Sequence, residues 1–349
     1  MSPSSPARAE PAAPLDLLHD EMRRQNADAL ASLDAAREQA QPIAARIRAT
    51  GQLTMLGMGA SHWANRMVLG SYRALGVDAH AEVLSEALRL PPAARPRVVL
   101  LTSQSGGSGE LRVWLDRQAS LTDVFGMTLQ ADSVLGSSVP CLVGRGGRER
   151  AFAATRSVVV TLALHAAVLE ALGMETGALR HAWSSRFDPV SRPSEQAVEA
   201  LCRCDLLVLA ARGELQGALE GAALTYMELA RTPAMALELG QLIHGPQEAL
   251  GGGTALLLAR PAGADAAGVT RFAQAAVSWG VPVVLFDMGA HHPTVAGATA
   301  IFLPAATGLP AVARLLPAVQ SLAIAAAARR VPEMGVPQRS SKVTDGEAA

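Results

Sequence analysis

The chain carries one pattern of strands and helices twice, and this duplication limits the folds that it can adopt. The apolar strand LTMLGMG (53–59) is matched by DLLVLAARG (205–213), and RVVLLTS (97–103) is matched by TALLLARPAG (254–263). Helix patterns lie between these strands. Apolar strands that alternate with helices are typical of a parallel sheet covered on both faces. The sequence therefore predicts two tandem α/β domains, each a mostly parallel, doubly wound, flavodoxin-like sheet flanked by helices.

The repeat divides the chain into five segments. A Pro- and Ser-rich stretch, DPVSRPSE, separates the two halves. The predicted segments are a disordered N-terminus (1–14), a helical lead-in (15–48), the first domain (49–190), the second domain (196–330) and a C-terminal tail (331–349).

Composition excludes several classes of function. The net charge of −1 and the 3% aromatic content give neither a basic surface nor a stacking platform for nucleic acid. The N-terminus has no apolar signal region, and the longest apolar stretch is interrupted by Arg314, Pro317 and Gln320. We therefore expect a cytoplasmic protein that binds neither nucleic acid nor membrane. Three cysteines form no disulfide or metal pattern.

The segment SQSGGSGE (103–110) is the sharpest local signal, because it follows an apolar strand and precedes a helix. Ligands of open α/β sheets bind at the carboxyl ends of strands. A turn rich in Gly and Ser at a helix N-terminus presents N–H groups and hydroxyls that bind a phosphate dianion without a lysine. The alternative is an ordinary Ser/Gly turn that caps the helix. The phosphate ligands predicted here are Ser103, Gln104, Ser105 and Ser108.

At this point the chain resembles the sugar-isomerase (SIS) domain family, in its double-domain isomerase/deaminase type. That type includes stand-alone glucosamine-6-phosphate deaminases and the isomerase half of glutamine–fructose-6-phosphate aminotransferase. The motifs fall in family order across residues 50–344. They are GAS (59–61), SQSGGSGE, RERAFAATRS (148–157), ARG (211–213), the final Glu of ALTYME (223–228), IHGP (243–246) and PQRSSKVT (337–344).

The resemblance implies a hexosamine 6-phosphate deaminase/isomerase, for example one that converts glucosamine 6-phosphate to fructose 6-phosphate and ammonia. No cysteine precedes Cys141, so the chain has no glutaminase nucleophile near its start. The resemblance also implies a homodimer with a shared active site, and no metal or organic cofactor. The alternatives are a phosphosugar aldose–ketose isomerase or a fructosamine-phosphate deglycase. A rival of another class is a non-catalytic sugar-phosphate sensor.

Lys342 is the only lysine in the chain. An amine forms an imine with an open-chain sugar carbonyl, and a guanidinium does not. The resemblance implies that the C-terminal tail closes over the site and brings Lys342 to C1 or C2 of the sugar. The alternative is a solvated lysine on a loose tail.

Two further catalytic residues follow from the motifs. Glu228 lies in a helical stretch with few charges, where burial would raise its pKa and suit it to move a proton between C1 and C2. Glu220, two turns earlier, is the rival candidate. The resemblance implies that His244 assists ring opening and reaches into the neighbouring subunit's site. It also implies that Ser61, Ala154 and Thr155 contact the ligand.

The chain departs from the family pattern at several positions, and these departures leave the substrate open. Thr225 replaces a lysine, Gly221 and Gln241 replace glutamates, and Arg156 replaces the lysine of the VAATKS segment. His291 and His292 are adjacent, but no carboxylate or thiolate partner is evident, so a loop is favoured over a metal site.

Overall fold

A computed structural model describes residues 13–90, 95–118, 120–184, 193–289 and 291–343. The disorder predicted for the first residues therefore lies, apart from 13 and 14, outside the described residues. So do most of the Pro/Ser-rich linker and the end of the tail. The helical lead-in is α1, Pro14–Thr50, which is slightly longer at both ends than the sequence indicated.

The first half contains a five-stranded, all-parallel sheet in the spatial order β2-β1-β3-β4-β5. Its strands are β1 (Gln52–Gly57), β2 (Asp78–Val83), β3 (Val98–Thr102), β4 (Val124–Thr128) and β5 (Cys141–Val143). Its further helices are α2 (Gly59–Ala74), α3 (Leu84–Arg89), α4 (Gly109–Arg117), α5 (Val134–Ser138), α6 (Arg156–Leu172) and α7 (Gly177–Ser184).

The second half repeats this topology in the order β7-β6-β8-β9-β10. Its strands are β6 (Leu206–Ala211), β7 (Ala234–Glu238), β8 (Thr254–Arg260), β9 (Val283–Asp287) and β10 (Thr299–Phe302). Its helices are α8 (Glu195–Arg203), α9 (Glu214–Ala230), α10 (Leu239–Ile243), α11 (Ala266–Ser278) and α12 (Gly308–Arg330), with a 3₁₀ turn at Pro246–Ala249. The predicted α/β class, with two doubly wound parallel sheets, is confirmed.

The two halves share one hydrophobic core, in which α2 of the first half packs on α9 of the second. Gly217 makes this close approach possible, because a Cβ there would lie 2.7 Å from the backbone nitrogen of Met67. Among the described residues, one helix, α12, is long and apolar enough to cross a membrane, and 78% of its most apolar stretch is buried inside the protein.

The helix α6 begins at Arg156, after the irregular segment that contains Glu149. Thr155, just before the helix, and Ser157, in its first turn, donate hydrogen bonds to the carboxylate of Glu149. Arg156 itself is fully buried and makes ion pairs with Glu21 and with Asp28 on α1. The lead-in helix is therefore fastened to this loop by charge as well as by apolar packing.

Candidate active site

The SQSGGS turn follows β3 at the carboxyl edge of the first sheet. Gly106 has φ +61°, and its N–H donates to the backbone oxygen and the hydroxyl of Ser103 at 3.2 and 3.1 Å. A Cβ at Gly106 would lie 2.1 Å from Oγ of Ser133. Both the positive φ and the close contact therefore require glycine at this position.

Polar groups of this turn are available to a ligand. Ser108 is the N-cap residue of α4, but its hydroxyl makes no capping hydrogen bond to the described chain. The Nε2 atom of Gln104 is buried and has no hydrogen-bond partner among the described residues. A buried amide donor costs free energy unless something accepts its hydrogen. The turn thus offers unsatisfied donors at the positive end of a helix, where an anion is favoured.

A cavity of about 310 Å³ opens at this turn. The second half and the C-terminal tail complete its walls. Its lining residues include Met58, Gly59, Ser61, Leu84, Thr102, Ser103, Gln104, Ser105, Ser108, Glu110, Phe152, Ala154, Ser157, Thr161, Leu224, Glu228 and the tail residues 340–343. The cavity therefore brings together the predicted phosphate turn, Ser61, Ala154, Glu228 and Lys342.

Glu228 is the acidic residue that α9 contributes to the cavity. Burial raises its pKa to about 7, the positive charge of Lys342 opposes this rise, and the negative charge of Glu149 adds to it. A carboxyl group with a pKa near neutrality exchanges protons readily in both directions. The rival Glu220 is instead paired with Arg66 of α2 at 2.9 Å and does not line the cavity.

The side chain of Lys342 is 20% exposed and points into the protein. Its Nζ donates to Oε2 of Glu149 at 3.1 Å and to the backbone oxygen of Phe152 at 3.2 Å. Lys342 is therefore not a solvated tail lysine in this structure. The tail residues 340–343 line the cavity together with it.

Glu149 is a functional candidate that the sequence did not indicate, although it lies within the RERAFAATRS segment (148–157). Its carboxylate is fully buried and accepts hydrogen bonds from Thr155 and Ser157 as well as from Lys342. Burial alone would raise its pKa, but Lys342 and these donors together hold the pKa below its ordinary value. The available signal was the motif itself, in which a lone glutamate precedes the helix.

The structure places Thr155 and His244 outside the cavity of their own chain. Thr155 is fully buried and does not line the cavity, because its N–H and hydroxyl donate to Glu149 at 3.0 and 3.3 Å. His244 is exposed on the turn after α10. Ile243 beside it is 37% exposed, so this turn presents an open apolar surface.

Three of the family departures lie outside the lining of the cavity. The hydroxyl of Thr225 donates to the backbone oxygen of Gly221 at 3.2 Å, and a Cβ at Gly221 would approach Met67 and Trp63. Gln241 donates its backbone N–H to Glu238 at 3.0 Å. None of these three departures therefore alters the lining of the cavity directly.

In the second half, an internal ion pair occupies the position that corresponds to the phosphate turn. Arg260, at the end of β8, and Asp287, at the end of β9, are both about 1% exposed, with Nη2 and Oδ2 2.6 Å apart. His292 lies 2.7 Å from Oδ1 of the same aspartate, so the expectation that it has no carboxylate partner is wrong. Within the described residues, no group of three or more His, Cys, Asp or Glu side chains is arranged to hold a metal ion.

Comparison with solved structures identifies the architecture. The C-terminal domain of glucosamine-fructose-6-phosphate aminotransferase from Francisella tularensis superposes with a TM-score of 0.79 at 15% identity, covering 90% of this chain and 96% of that chain. Tagatose-6-phosphate ketose/aldose isomerase from Escherichia coli superposes with a TM-score of 0.79 at 19% identity. This match covers 94% of this chain and 98% of that chain. The fold is that of two tandem SIS domains.

A third similar SIS structure is glucosamine-6-phosphate deaminase from Thermotoga maritima. It has a TM-score of 0.68 at 18% identity, with 91% of this chain and 99% of that chain covered. At these identities the similarity is one of fold. No family model and no curated protein sequence matches the chain.

Proposed function

We propose that this protein is a hexosamine 6-phosphate isomerase and deaminase. One observation carries the proposal: Glu228, with a pKa near 7, lines the same cavity as the phosphate turn and the only lysine of the chain. The arrangement suits a reaction in which a proton moves between adjacent carbons of an anchored sugar. The solved structures support the same class of chemistry, since an isomerase and a deaminase of sugar phosphates are among them by name.

The proposed reaction begins with an open-chain 2-amino aldose whose phosphate binds Ser103, Gln104, Ser105 and Ser108. Glu228 removes the proton from C2, and the electrons move toward the C1 oxygen to give an enaminol. Return of the proton to C1, with loss of one proton from the C2 nitrogen, gives the C2 imine of the ketose. Water then adds to that imine, and ammonia leaves to give the ketose 6-phosphate.

Lys342 completes the proposed site by placing a positive charge beside Glu228. An ammonium there stabilises the negative charge that develops on the C1 oxygen, because a preorganised charge in a partly dry cavity acts more strongly than in water. His244 is proposed to assist ring opening in the site of a neighbouring subunit.

The test is a panel of 2-amino-hexose 6-phosphates, with both ammonia and the ketose phosphate measured. The expected result is the release of one ammonia for each ketose formed, and loss of both in Glu228→Gln. Binding of the sugars without any turnover would overturn the proposal in favour of a sensor.

The second candidate is an aldose–ketose isomerase without deamination. The solved structures support it, since the ketose/aldose isomerase among them superposes with a TM-score of 0.79 and the deaminase with 0.68. Glu228 and the Lys342 ammonium would serve proton transfer between C1 and C2 equally well in both reactions. Conversion of a hexose 6-phosphate that lacks the amino group, without ammonia from any amino sugar, would select this candidate.

A further inference from the structure

Glu149 is a buried charge around which one short loop is organised. The N–H groups of Thr155 and Ser157 donate to Oε1 at 3.0 and 3.1 Å, and the hydroxyl of Ser157 donates to Oε2 at 2.6 Å. The carboxylate also lies at the N-terminus of the seventeen-residue helix α6. A fully buried carboxylate is tolerated only when such donors and a cation satisfy it.

The cation that satisfies Glu149 comes from the far end of the chain. Glu149 and Lys342 are 193 positions apart in sequence, and their charged atoms are 3.1 Å apart. Among the described residues, the hydrogen bonds that join residues 340–343 to the rest of the chain are both made by Nζ of Lys342, to Glu149 and to the Phe152 backbone oxygen. The hydroxyl of Ser341 bonds only within the tail, to the Val343 oxygen at 2.6 Å.

From this geometry we infer that Glu149 is a positioning residue. It holds the ammonium of Lys342, and with it the tail residues 340–343, against the cavity beside Glu228. The hydrogen bonds of Lys342 to Glu149 and Phe152 are what hold the tail in place. The effect of Glu149 on turnover rests on the proposed function.

The carboxylate of Glu149 also gives Lys342 a charged partner. The pKa of Glu149 is held below its ordinary value by Lys342 and the loop donors despite burial, so the group facing the lysine is a carboxylate. This ion pair holds the positive charge of Lys342 at the wall of the cavity. Glu228 and Glu110 are the acidic residues that line the same cavity.

The single lysine makes this inference testable without any substrate. A lysine-specific endoprotease has one site in the whole chain, after Lys342, and it must extract that side chain to cut. Mass spectrometry then measures the loss of residues 343–349 over time. We expect cleavage of Glu149→Gln to be at least about tenfold faster than that of the wild type, because the charged hydrogen bond that holds the lysine is lost.

Matched variants control for general loosening of the fold. Glu170→Gln removes another carboxylate of α6, which pairs with Arg37 and Arg180 outside the cavity, and should leave the cleavage rate unchanged. Glu149→Asp keeps the charge and should restore much of the protection. If Glu149→Gln does not fold, Ser157→Ala removes the 2.6 Å bond to Glu149 and should accelerate cleavage in the same direction.

Equal cleavage rates in the wild type and Glu149→Gln, or in Ser157→Ala where that variant is used, would overturn the inference. With an active substrate, Glu149→Gln should also lower kcat more than it raises KM, with partial rescue by Asp. If the protease result holds but the wild type converts no sugar phosphate, the anchor stands and the proposed function fails.

Discussion

Arg66 on α2 and Glu220 on α9 form a bidentate ion pair across the contact between the two SIS domains. Nε and Nη2 of Arg66 lie 2.9 and 3.0 Å from the two carboxylate oxygens of Glu220. This pair separates two glutamates that the sequence left as rivals. Glu220 belongs to the interface, whereas Glu228, two turns further along the same helix, faces the cavity.

The two glutamates give a matched pair of variants. Glu228→Gln should lower kcat by about 10²–10⁴-fold, because the proton-transfer group is lost while its shape remains. Glu220→Gln should leave kcat within about twofold and lower the melting temperature, because Arg66, 38% exposed, loses its charged partner. Steady-state kinetics and thermal melting of both variants check this, and equal losses of kcat in the two would contradict the assignment.

The pKa of Glu228 predicts how activity depends on pH. The carboxylate form must accept the proton from C2, so kcat/KM should rise with pH and level off above a midpoint of about 7. An ordinary glutamate would give a midpoint near 4.5, the value before burial acts. A profile of kcat/KM against pH, which reports the pKa in the unliganded protein, distinguishes the two.

The raised pKa of Glu228 also predicts how the stability of the folded protein depends on pH. A carboxyl whose folded pKa is raised contributes stability below its unfolded pKa of about 4.5, and that stability is lost as pH rises through about 7. Glutamine does not titrate. Glu228→Gln should therefore melt at a higher temperature than the wild type at pH 8, and at the same temperature near pH 4. A lower melting temperature of the variant at pH 8 would show that Glu228 is not destabilised by burial.

The phosphate turn should affect binding rather than folding. Ser105→Ala combined with Ser108→Ala should raise KM for the sugar phosphate by about 10- to 100-fold, since two hydrogen bonds to a charged ligand are lost. The melting temperature should stay within about 2 °C, because the hydroxyls contribute little packing. Ser138→Ala, on an exposed face of α5, is the control. An unchanged KM in the double variant would remove this turn from the site.

Much of the fold could be predicted because its central strands are buried on both faces. The strands β1, β3, β6 and β8 are continuous apolar runs, and the sequence located each of them. The edge strands β2 and β7 were missed, because DAHAEV and AMALE are half-buried and lack such a run. Their β structure depends on pairing with a neighbouring strand, which sequence periodicity does not reveal.

The site was predictable where one motif carries the chemistry, and was missed where the chemistry depends on a distant contact. The serines of the turn and Glu228 lie within sequence motifs that identify them as candidates. Glu149 becomes important only through Lys342, at a separation that no local pattern reports. Thr155 was assigned to the ligand, but its hydroxyl is directed at Glu149.

The exposed turn that carries His244 leads to a prediction about how the chain assembles. His244 lies on an exposed turn, and Met227, Met235 and Ile243 nearby in the sequence are each about 40% exposed, which favours a homodimer that shares its sites. A His244→Ala chain co-expressed with a Glu228→Gln chain should recover up to about a quarter of wild-type activity, since one site of each mixed dimer is intact. Either variant alone supplies the baseline. A monomer at micromolar concentration in sedimentation would refute the shared site.

The last prediction concerns what Lys342 does. The sequence alone favours an imine with the sugar, whereas the structure holds the amine in an ion pair with Glu149. We therefore expect borohydride added during turnover to leave no sugar on the protein. Lys342→Arg, which keeps the positive charge, should retain more activity than Lys342→Met. In Lys342→Met the midpoint of the pH profile should move above 7, because the charge that lowers the pKa of Glu228 is gone.

An imine would give the opposite pattern. One sugar would be trapped per chain, and only two amines, Lys342 and the N-terminus, are available to carry it. Lys342→Arg would then abolish trapping and be as inactive as Lys342→Met, since a guanidinium cannot replace the nucleophile. Truncation after Gly335 removes both the charge of Lys342 and the tail residues that line the cavity. The activity of the truncated chain should match that of Lys342→Met if only the charge matters. It should be lower still if residues 340–343 also keep water from the cavity.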